Sequence, residues 1–259
     1  MEVHAHTHTP RKKWTHYFWE FLMLFLAVFC GFLAEYQLEH KIEKDKEKQY
    51  IQSLLEDLGE DTLILSENIE DCKGHKKRID TLLLLLNSND VRNHGSDLYY
   101  LGRRSSRGTR LALHDLTIQQ LKNSGGFRLI SKGKVAKAII EYYNRVVFIE
   151  YLQNIALSEA EEYRKMAIDV FNPILFRDII MPDNTIARPA GNPSLLTYEP
   201  KVLVRLSGML SYIGNSKLGI LKAEGEMRTA AIDLIRLILN NHLLRRWVEI
   251  HRAKPSLRP

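Results

Sequence analysis

One apolar stretch near the N-terminus constrains this chain more than any other feature of its sequence. Residues 17–36 read YFWEFLMLFLAVFCGFLAEY, and no polar side chain occurs between positions 21 and 34. Twenty helical residues rise about 30 Å, which is the thickness of the hydrocarbon core of a bilayer. Tryptophan or tyrosine borders the stretch at both ends, as in the aromatic belts of membrane proteins. We therefore predict that residues 17–36 form a transmembrane helix.

Two alternatives to a retained span, an interfacial helix and a cleaved signal peptide, fit the stretch less well. An interfacial helix needs a polar face along its whole length, which residues 21–34 lack. The apolar region of a signal peptide has about 7–15 residues and ends at a small-x-small cleavage site. Here the run continues through Phe32 and Leu33 into Glu35 without such a site. Glu20 lies within one turn of the border, where its carboxylate can reach the interface.

The basic residues on either side of the stretch bear on its orientation, because such residues are more frequent on the cytoplasmic side. Arg11, Lys12 and Lys13 precede it, and four lysines follow between positions 41 and 48. The first three are contiguous, and long domains are translocated largely regardless of charge. We predict that the N-terminus lies inside and the bulk of the chain outside.

The two ends of the chain carry polar and charged residues. His4, His6 and His8 alternate in the head, residues 1–16, which is predicted to be disordered. Neutral imidazoles so spaced can hold a divalent metal, but three ligands on a short tail make a weak, unselective site. Much of the net charge of +6 lies in the last residues, and residues 252–259 form a basic tail. We interpret this excess as a solvated tail, not as a site for nucleic acid.

The sequence after the apolar stretch favours long helices, because no proline occurs between Pro10 and Pro173. Residues 37–50 are mostly polar and are predicted to be a stalk helix. Residues 51–86 then place apolar or neutral side chains at alternating intervals of four and three, with one miss at Lys76, which is the pattern of a coiled-coil seam. The members of this first seam are Ile51, Leu55, Leu58, Thr62, Leu65, Ile69, Cys72, Ile79, Leu83 and Leu86.

A second seam with the same alternation covers residues 135–174, and Gln153 is its only polar member. Its members are Val135, Ile139, Tyr142, Val146, Ile149, Gln153, Ala156, Ala160, Tyr163, Ala167, Val170 and Ile174. Two seams in one chain predict either an intramolecular pair, for which we expect an antiparallel arrangement, or a homodimer through either seam. The predicted fold class is therefore all-α: an N-terminal transmembrane helix that continues into a long-helix bundle, residues 51–251, with coiled-coil-like seams.

Two segments of the bundle are predicted to be irregular, because they concentrate helix-breaking residues. Residues 173–200 hold five of the eight prolines and form a Pro-rich connector. Two closing helices are expected after it, at roughly 200–217 and 224–251. Residues 90–133 hold six of the fourteen glycines and form a Gly-rich loop region, with a short helix that starts at Thr117.

Four arginines of the Gly-rich loop region are candidate contacts for phosphate or lipid headgroups. They are Arg103, Arg104, Arg107 and Arg128, and Arg110 belongs to the same cluster as the first three. Guanidinium groups bind such anions through paired hydrogen bonds, and clusters of basic residues are typical of sites for anionic lipids. The alternative is that these side chains are solvated on an exposed loop.

The corner NSGGF, which contains Gly125 and Gly126, is interpreted as a structural joint between two helices. Thr117 and Gln120 have the spacing of a capping box at the start of the first helix. One glycine of the pair can adopt the left-handed conformation that ends this helix, and Ser131 can cap the next one. The alternative is an anion site built from the backbone N–H groups of the glycines.

No motif of catalysis or cofactor binding occurs in the sequence. The chain lacks a P-loop, a G-x-S-x-G elbow, an HExxH motif, paired CxxC motifs and a dinucleotide fingerprint. Asp71, Cys72 and His75 can share a helix face, but two or three ligands without a fourth do not make a zinc site. His114 and Asp115 are adjacent, and adjacent residues rarely converge on one atom. The prediction is a protein without catalytic activity and without a cofactor.

Three blocks of sequence occur together in this chain. They are the His-rich head that continues into KKWTHYFWEFLMLFLAVFCGFLAE, the following EKDKEKQYIQSLLEDLGEDT, and the block LKNSGGFRLI…IIEYYN. With them the chain resembles a family of uncharacterised single-pass membrane proteins of Gram-negative bacteria. Together with the charge pattern, the resemblance implies the bacterial inner membrane, a cytoplasmic N-terminus and a periplasmic bulk domain. It implies no chemistry.

Two functions from different classes agree with these observations. A scaffold or interaction module, anchored in the lipid bilayer, would pack its seams against a protein partner or a second copy. A sensor module would bind a small ligand between its helices and signal through a partner. The sequence favours the interaction module, because it shows one span and no signalling domain downstream of the bundle.

Overall fold

The computed structural model of the protein describes residues 14–108 and 110–240 and shows an all-α fold. Six α-helices follow one another in these residues: α1 Trp14–Leu86, α2 Gly95–Ser105, α3 Leu116–Asn123, α4 Gly133–Ala167, α5 Pro173–Asp178 and α6 Pro200–Asn240. Two 3₁₀ turns lie at Val91–Asn93 and Gly126–Leu129. Within the same residues there is no strand, and Ile180 and Ile186 form an isolated antiparallel bridge. The predicted all-α fold class, with a long N-terminal helix, is confirmed.

The chain divides into two compact units, and the first of them ends at Tyr50. In this unit α1 carries the apolar stretch, which is long and apolar enough to cross a membrane. Its large apolar side chains are exposed; Phe21 and Leu24, for example, are 67% and 71% exposed. Such a surface is unfavourable in water and suits a hydrocarbon environment. The helix continues without a break through residues 17–36 and 37–50, where the sequence predicts a span and a stalk.

In the second unit, which begins at Ile51, α1 and α4 run in the same direction. Tyr142 of α4 donates a hydrogen bond to Asp61 of α1 at 2.7 Å. Further along both helices, Tyr163 of α4 and Ile79 of α1 belong to one core cluster. The antiparallel arrangement expected for these two helices is therefore wrong. The long connection between them, which includes α2 and α3, returns the chain to the start of the bundle and permits the parallel arrangement.

The third long helix, α6, runs antiparallel to α1 and α4 and completes a three-helix bundle. Asn87, just beyond the end of α1, donates to Ser207 near the start of α6 at 3.1 Å. Asn68, earlier in α1, donates to Glu224, later in α6, at 2.6 Å. The closest packing between helices of the bundle is that of α4 against α6. The two predicted seams therefore do not bury only each other, since α6 supplies a third face of the core.

α6 is a single helix where the sequence predicted two. It runs without interruption from Pro200, whose missing N–H is tolerated at the first helical position. In its second half it buries Met227, Ala231, Leu234 and Ile238. Trp247, with the rest of the predicted closing helix and the basic tail, lies outside the described residues.

The buried face of α1 differs in part from the predicted first seam. Its buried residues are Ile51, Leu54, Leu58, Asp61, Leu65, Asn68, Cys72, His75, Ile79, Leu82 and Leu86. Every second residue of the predicted seam, such as Leu58, is buried as predicted. At the positions between them the structure buries the preceding residue instead, so that Leu55, Thr62 and Ile69 are only half-buried. A heptad pattern allows either position, since i+3 and i+4 both lie near the same face. The structure buries the earlier of the two positions, and this choice brings three polar side chains, Asp61, Asn68 and His75, into the core.

The second seam is buried largely as predicted. Eight of its members are buried in α4: Val135, Ile139, Tyr142, Ile149, Gln153, Ala156, Tyr163 and Ala167. Val170 is buried just beyond the helix, while Val146 and Ala160 are half-buried. The seam ends earlier than predicted, because α4 stops at Ala167 and Ile174 lies in α5 with 58% of its surface exposed.

The segment predicted as a Gly-rich loop region, residues 90–133, is largely helical and contributes to the core. α2 lies within it and buries Leu98 and Tyr99 completely. Gly102 permits close packing of this helix, since a Cβ atom there would lie 2.6 Å from Cζ of Phe171. The sequence did not reveal α2, because its few apolar residues occur in a short segment that is otherwise rich in arginine, serine and glycine.

At the corner between α3 and α4, Gly125 has a φ of 64°, which is the left-handed conformation expected for one glycine of the pair. Gly126 is buried and begins the second 3₁₀ turn. The predicted caps are wrong. Asp115 occupies the N-cap position of α3, so Thr117 lies inside the helix, where it is buried, and Ser131 precedes the residue at the N-cap of α4.

The phase of the α1 core can be tested by placing a carboxylate on each side of the helix. Leu58 is 1% exposed and Leu63 is 67% exposed. Leu58→Asp should lower the free energy of unfolding by several kcal/mol, because an unpaired charge is then buried in apolar surroundings. Leu63→Asp, the matched control, should change it by less than about 0.5 kcal/mol. Chemical denaturation of the full chain in detergent measures both, and equal stability of the two variants would contradict the phase.

Candidate functional site

Three polar side chains of α1 point into the core of the bundle. Asp61, Asn68 and His75 follow one another at intervals of seven residues and are 1%, 8% and 5% exposed. Seven helical residues span about 10 Å, so the three side chains enter the core at successive levels of one helix face. Buried polar groups normally have hydrogen-bond partners. We name the level of Asp61 lower, that of Asn68 middle and that of His75 upper. The levels differ in whether their buried polar atoms have hydrogen-bond partners.

At the lower level, the carboxylate of Asp61 has a partner on each oxygen. The hydroxyl of Tyr142 donates to Oδ2 at 2.7 Å, and the backbone N–H of His114 donates to Oδ1 at 2.9 Å. The ring Nδ1 of His114 lies 3.1 Å from the same Oδ1. Burial and the charge of Asp61 raise the pKa of Tyr142, so its hydroxyl remains a donor. This level is a completed network, and its role is structural.

The middle level is incomplete. Asn68 Nδ2 donates to Oε1 of Glu224 at 2.6 Å. Oε2 of Glu224 and both polar atoms of the Gln153 amide are buried, and none of them has a hydrogen-bond partner among the described residues. Burial raises the pKa of Glu224 to about 7, against smaller opposing effects of Asn68 and Lys217. A buried polar atom without a partner costs about 1–3 kcal/mol, so this level destabilises the bundle unless another group completes it.

The upper level holds an imidazole and a thiol in their neutral forms. His75 Nε2 lies 3.2 Å from the carbonyl oxygen of Ser105, to which it donates. Burial and the charge of Lys217 lower the pKa of His75 to about 4, so the ring is neutral at pH 7. The Cys72 thiol donates to the carbonyl oxygen of Lys217 at 3.4 Å, and burial raises its pKa. Neither group is activated as a nucleophile or a base.

A cavity of about 400 Å³ lies beside the middle and upper levels. Its lining comes from α1, α4 and α6, and also from residues 104–108, 110 and 184–186. Gln153 and Glu224 both line it, and along α1 it reaches from Asn68 to Arg78. The charged side chains that line it are the basic Arg78, Arg104, Arg107, Arg110 and Lys217 and the acidic Asp71 and Glu224. The cavity therefore carries an excess of positive charge.

The four arginines predicted as anion contacts do not form one cluster. Arg104 and Arg107 line the cavity. Arg103 does not line it, and its guanidinium carbon lies 5.8 Å from the ring centre of Phe176. Arg128 is exposed in the second 3₁₀ turn, away from the cavity lining. Arg110, which the sequence places in the same cluster, also lines the cavity, so the prediction found three of the five cationic side chains that the structure brings together.

The candidate metal ligands of the head, His4, His6 and His8, lie outside the described residues. In the part of the chain that the structure describes, no group of three or more histidine, cysteine, aspartate or glutamate side chains is arranged to hold a metal ion. The candidate site is therefore the cavity, with amide, carboxyl and guanidinium groups as the available contacts.

Sequence reasoning missed the polar groups of the middle level. Glu224 lies between Ile220 and Met227 at intervals of four and three, and all three are buried, so the alternation in α6 contained the signal. Asn68 was passed over because the apolar Ile69 beside it fits the alternative phase of the seam. No spacing in the sequence indicated that basic residues from α1, α2 and α6 meet at one cavity.

No protein-family model, curated protein or solved structure matches this chain. The resemblance to a family of bacterial membrane proteins therefore stays a prediction. The geometry of the three levels and of the cavity is the basis of the proposed function.

The structural role of the lower level can be tested with a hydroxyl deletion. Tyr142→Phe should destabilise the protein by about 1–3 kcal/mol, because the buried carboxylate of Asp61 loses a donor. Tyr151→Phe is the matched control on the same helix, because that side chain is 61% exposed, and it should leave stability unchanged. Chemical denaturation measures both variants. A neutral Tyr142→Phe would show that water or His114 replaces the lost donor.

Proposed function

We propose that this protein is a membrane-anchored helical module without catalytic activity, which binds a small ligand in the cavity of its bundle and signals through a protein partner. One observation carries the proposal. The cavity is lined by two side chains, Gln153 and Glu224, whose buried polar atoms lack partners. A ligand in the cavity can supply these hydrogen bonds.

The difference between the middle and lower levels supports the proposal that the middle level binds a ligand and does not serve only to hold the helices together. Asp61 is as deeply buried as Glu224, and the fold completes its hydrogen bonds with Tyr142 and His114. Structural polar layers in helix bundles are satisfied in this way, since an unsatisfied layer is worse than an apolar one. The middle level breaks this rule at the place where the bundle contains a cavity, which is typical of a binding site.

The state of the groups around the cavity favours binding over turnover. Cys72 is a thiol with a raised pKa, and His75 is a neutral ring that already donates to a carbonyl oxygen. A nucleophile needs a lowered pKa or an adjacent base, and a general base needs a pKa near the working pH together with reach of a proton. Glu224 has a suitable pKa, but the thiol near it, that of Cys72, has a pKa raised by burial and is a poor nucleophile.

The length and composition of α1 support the proposed anchoring in a membrane. This helix can cross a bilayer with its apolar stretch, and further along it lines the cavity with Asn68, Cys72 and His75. We place the protein in the bacterial inner membrane, with the N-terminus in the cytoplasm and the bundle in the periplasm, on the charge pattern and the resemblance described above. A bundle so placed can bind solutes of the periplasm.

A scaffold function is the second candidate, and the outer face of α4 favours it. Ile140, Val147, Phe148 and Tyr151 are 45–61% exposed and lie near one another on this helix. Contiguous apolar patches on a surface mark sites of interaction with proteins or membranes. Such a face fits a protein partner or a second copy of the chain, and it is compatible with a ligand in the cavity.

The proposed function can be tested by thermal shift of the full chain in detergent against a library of metabolites. At least one compound should raise Tm in the wild type, and the shift should be lost in Gln153→Leu, which has no polar atoms to offer a ligand. Leu157→Gln serves as a control, because it changes a lining residue that is 46% exposed and leaves the middle level intact. Absence of any stabilising compound would leave the scaffold function as the better explanation.

The proposed orientation can be tested by labelling in right-side-out spheroplasts. Ala190 is exposed in the connector before α6, so Ala190→Cys in a Cys30→Ser, Cys72→Ala background should react with a membrane-impermeant maleimide. Thr7→Cys in the same background should react only after the membrane is permeabilised. The reverse pattern would place the bundle in the cytoplasm, and release of the chain by carbonate would exclude a membrane span.

A further inference from the structure

We propose that the ligand of the cavity is a small soluble organic anion with at least two negative charges, and that it binds together with a proton on Glu224. This inference rests on the proposed function, because it names the chemistry of the ligand for that same cavity. Three features of the described residues lead to it: the sign of the lining charge, the absence of ion pairs that neutralise the lining cations, and the position of one buried carboxyl group.

The first feature is the lining charge. Five lining side chains are cationic and two are acidic, which leaves an excess of three positive charges, or four when Glu224 is protonated. Charges in a confined cavity interact more strongly than charges in water, because the surrounding medium screens them less. The excess therefore favours anions over neutral or cationic compounds, and it favours a ligand with more than one charge.

The second feature is that these cations are not neutralised by ion pairs among the residues that the structure describes. Asp71 is nevertheless near enough to Arg78 to offset part of the lowering of its pKa by burial, and Arg107 donates to Asn184. Within the described residues, none of the five basic side chains forms an ion pair with a carboxylate. Arg78 Nη1 lies 3.2 Å from the position that a Cβ on Gly74 would occupy, so this guanidinium folds back along α1. Burial and the nearby Arg104 lower its pKa, and its Nε is buried without a partner. A guanidinium group matches the forked geometry of a carboxylate or phosphate, and an anion near both groups would reduce their repulsion.

The third feature is the carboxyl group of Glu224, which is fully buried at the inner wall of the cavity. Oε1 accepts from Asn68, and Oε2 has no partner in the residues that the structure describes. A charged Glu224 would repel an anion, whereas a protonated Oε2 can donate a hydrogen bond to it. The anion and the proton therefore favour each other at this site.

The sign of the resulting pH dependence follows from the state of Glu224. Its pKa in the free protein is raised to about 7, and a bound anion raises it further. Binding then takes up a proton, so the affinity is highest below pH 7 and falls as the pH rises through the free-state pKa. If only the protonated form binds, the affinity falls about tenfold between pH 6 and pH 8.

Other groups near Glu224 do not account for a change in this pH range. From α1 they are Asn68, Asp71, Cys72 and His75; from α4, Gln153; from α6 itself, Lys217. The pKa of His75 is lowered to about 4 and that of Cys72 is raised, so neither changes its charge between pH 6 and pH 8. Asn68 and Gln153 carry no ionisable group. The arginines that line the cavity supply a fixed positive field.

The experiment measures binding to the full chain in neutral detergent, by calorimetry and thermal shift, at pH 6 and pH 8 and at constant ionic strength. The probes are fumarate, tartrate and oxalate as organic dianions whose ionisation is complete at both pH values, glucose as a neutral compound and spermidine as a cation. At least one multivalent anion should bind, and binding should be stronger at pH 6. Arg78→Gln should weaken it by about tenfold to a hundredfold. Arg205→Gln, an exposed site on α6 with the same change of net charge, should leave it unchanged.

The role of the proton on Glu224 is tested with Glu224→Gln. This variant is nearly isosteric and keeps an acceptor for Asn68. This variant should bind the anion with equal affinity at pH 6 and pH 8. Calorimetry of the wild type in two buffers of different ionisation enthalpy measures proton uptake directly, and this arm stands even if the variant fails to fold. Retained pH dependence in a folded Glu224→Gln, or no proton uptake in the wild type, would overturn the role of Glu224.

The outcomes distinguish two errors. In the first, the cavity binds a ligand that is not a soluble anion; in the second, it binds no ligand at all. If glucose or spermidine binds and Gln153→Leu abolishes the effect, the cavity is a binding site but the ligand is not an anion. If only micelles that contain phosphatidylglycerol stabilise the protein, and Arg78→Gln removes this effect, the ligand is a lipid headgroup and not a soluble anion. If neither these probes nor the metabolite library binds, both the inference and the proposed function are wrong.

Discussion

The buried face of α1 determines the arrangement of the second unit, because each level of the core receives a side chain from it. This face alternates apolar residues with a polar residue at every seventh position from Asp61 to His75. Each polar side chain is matched by a different part of the chain: α4 at the lower level, α6 at the middle level and the end of α2 at the upper level. A shift of α1 by one heptad would leave these groups without partners, so the polar residues fix the register of the bundle.

The need to fix the register explains why the polar groups of the lower level are buried. It does not explain why the middle level holds buried polar atoms without partners. A single hydrogen bond between Asn68 and Glu224 suffices to align α1 with α6. The second carboxyl oxygen and the Gln153 amide add a cost without a further contribution to the alignment. Proteins retain such costs where the unsatisfied groups serve binding, since stability is commonly sacrificed at functional sites. The cavity and its cationic side chains lie at this level and the next, where the cost is incurred.

The sequence predicted the fold where apolar pattern alone decides it, and it misplaced the features that depend on distant contacts. The phase of α4 was correct, because its apolar residues mark one face and Gln153 is the only interruption. The phase of α1 was correct at every second member and one position late at the members between them, because Leu55 and Ile69 offered an apolar alternative to the polar positions that the structure buries. Asp61 is an acceptable core residue only because Tyr142 and His114 reach it, and sequence spacing does not show that contact. The parallel direction of α1 and α4 likewise depends on the path of the chain between them.

The charges around the cavity make the stability of the bundle sensitive to an anion. Burial and the charge of Arg104 both lower the pKa of Arg78. The repulsion between these two guanidinium groups is therefore a cost of the arrangement that the described residues show. An anion bound between them would offset this cost and stabilise the native state, as any ligand that prefers the native state does. The same holds for the proton on Glu224, because a neutral carboxyl group removes the charge that would oppose the anion.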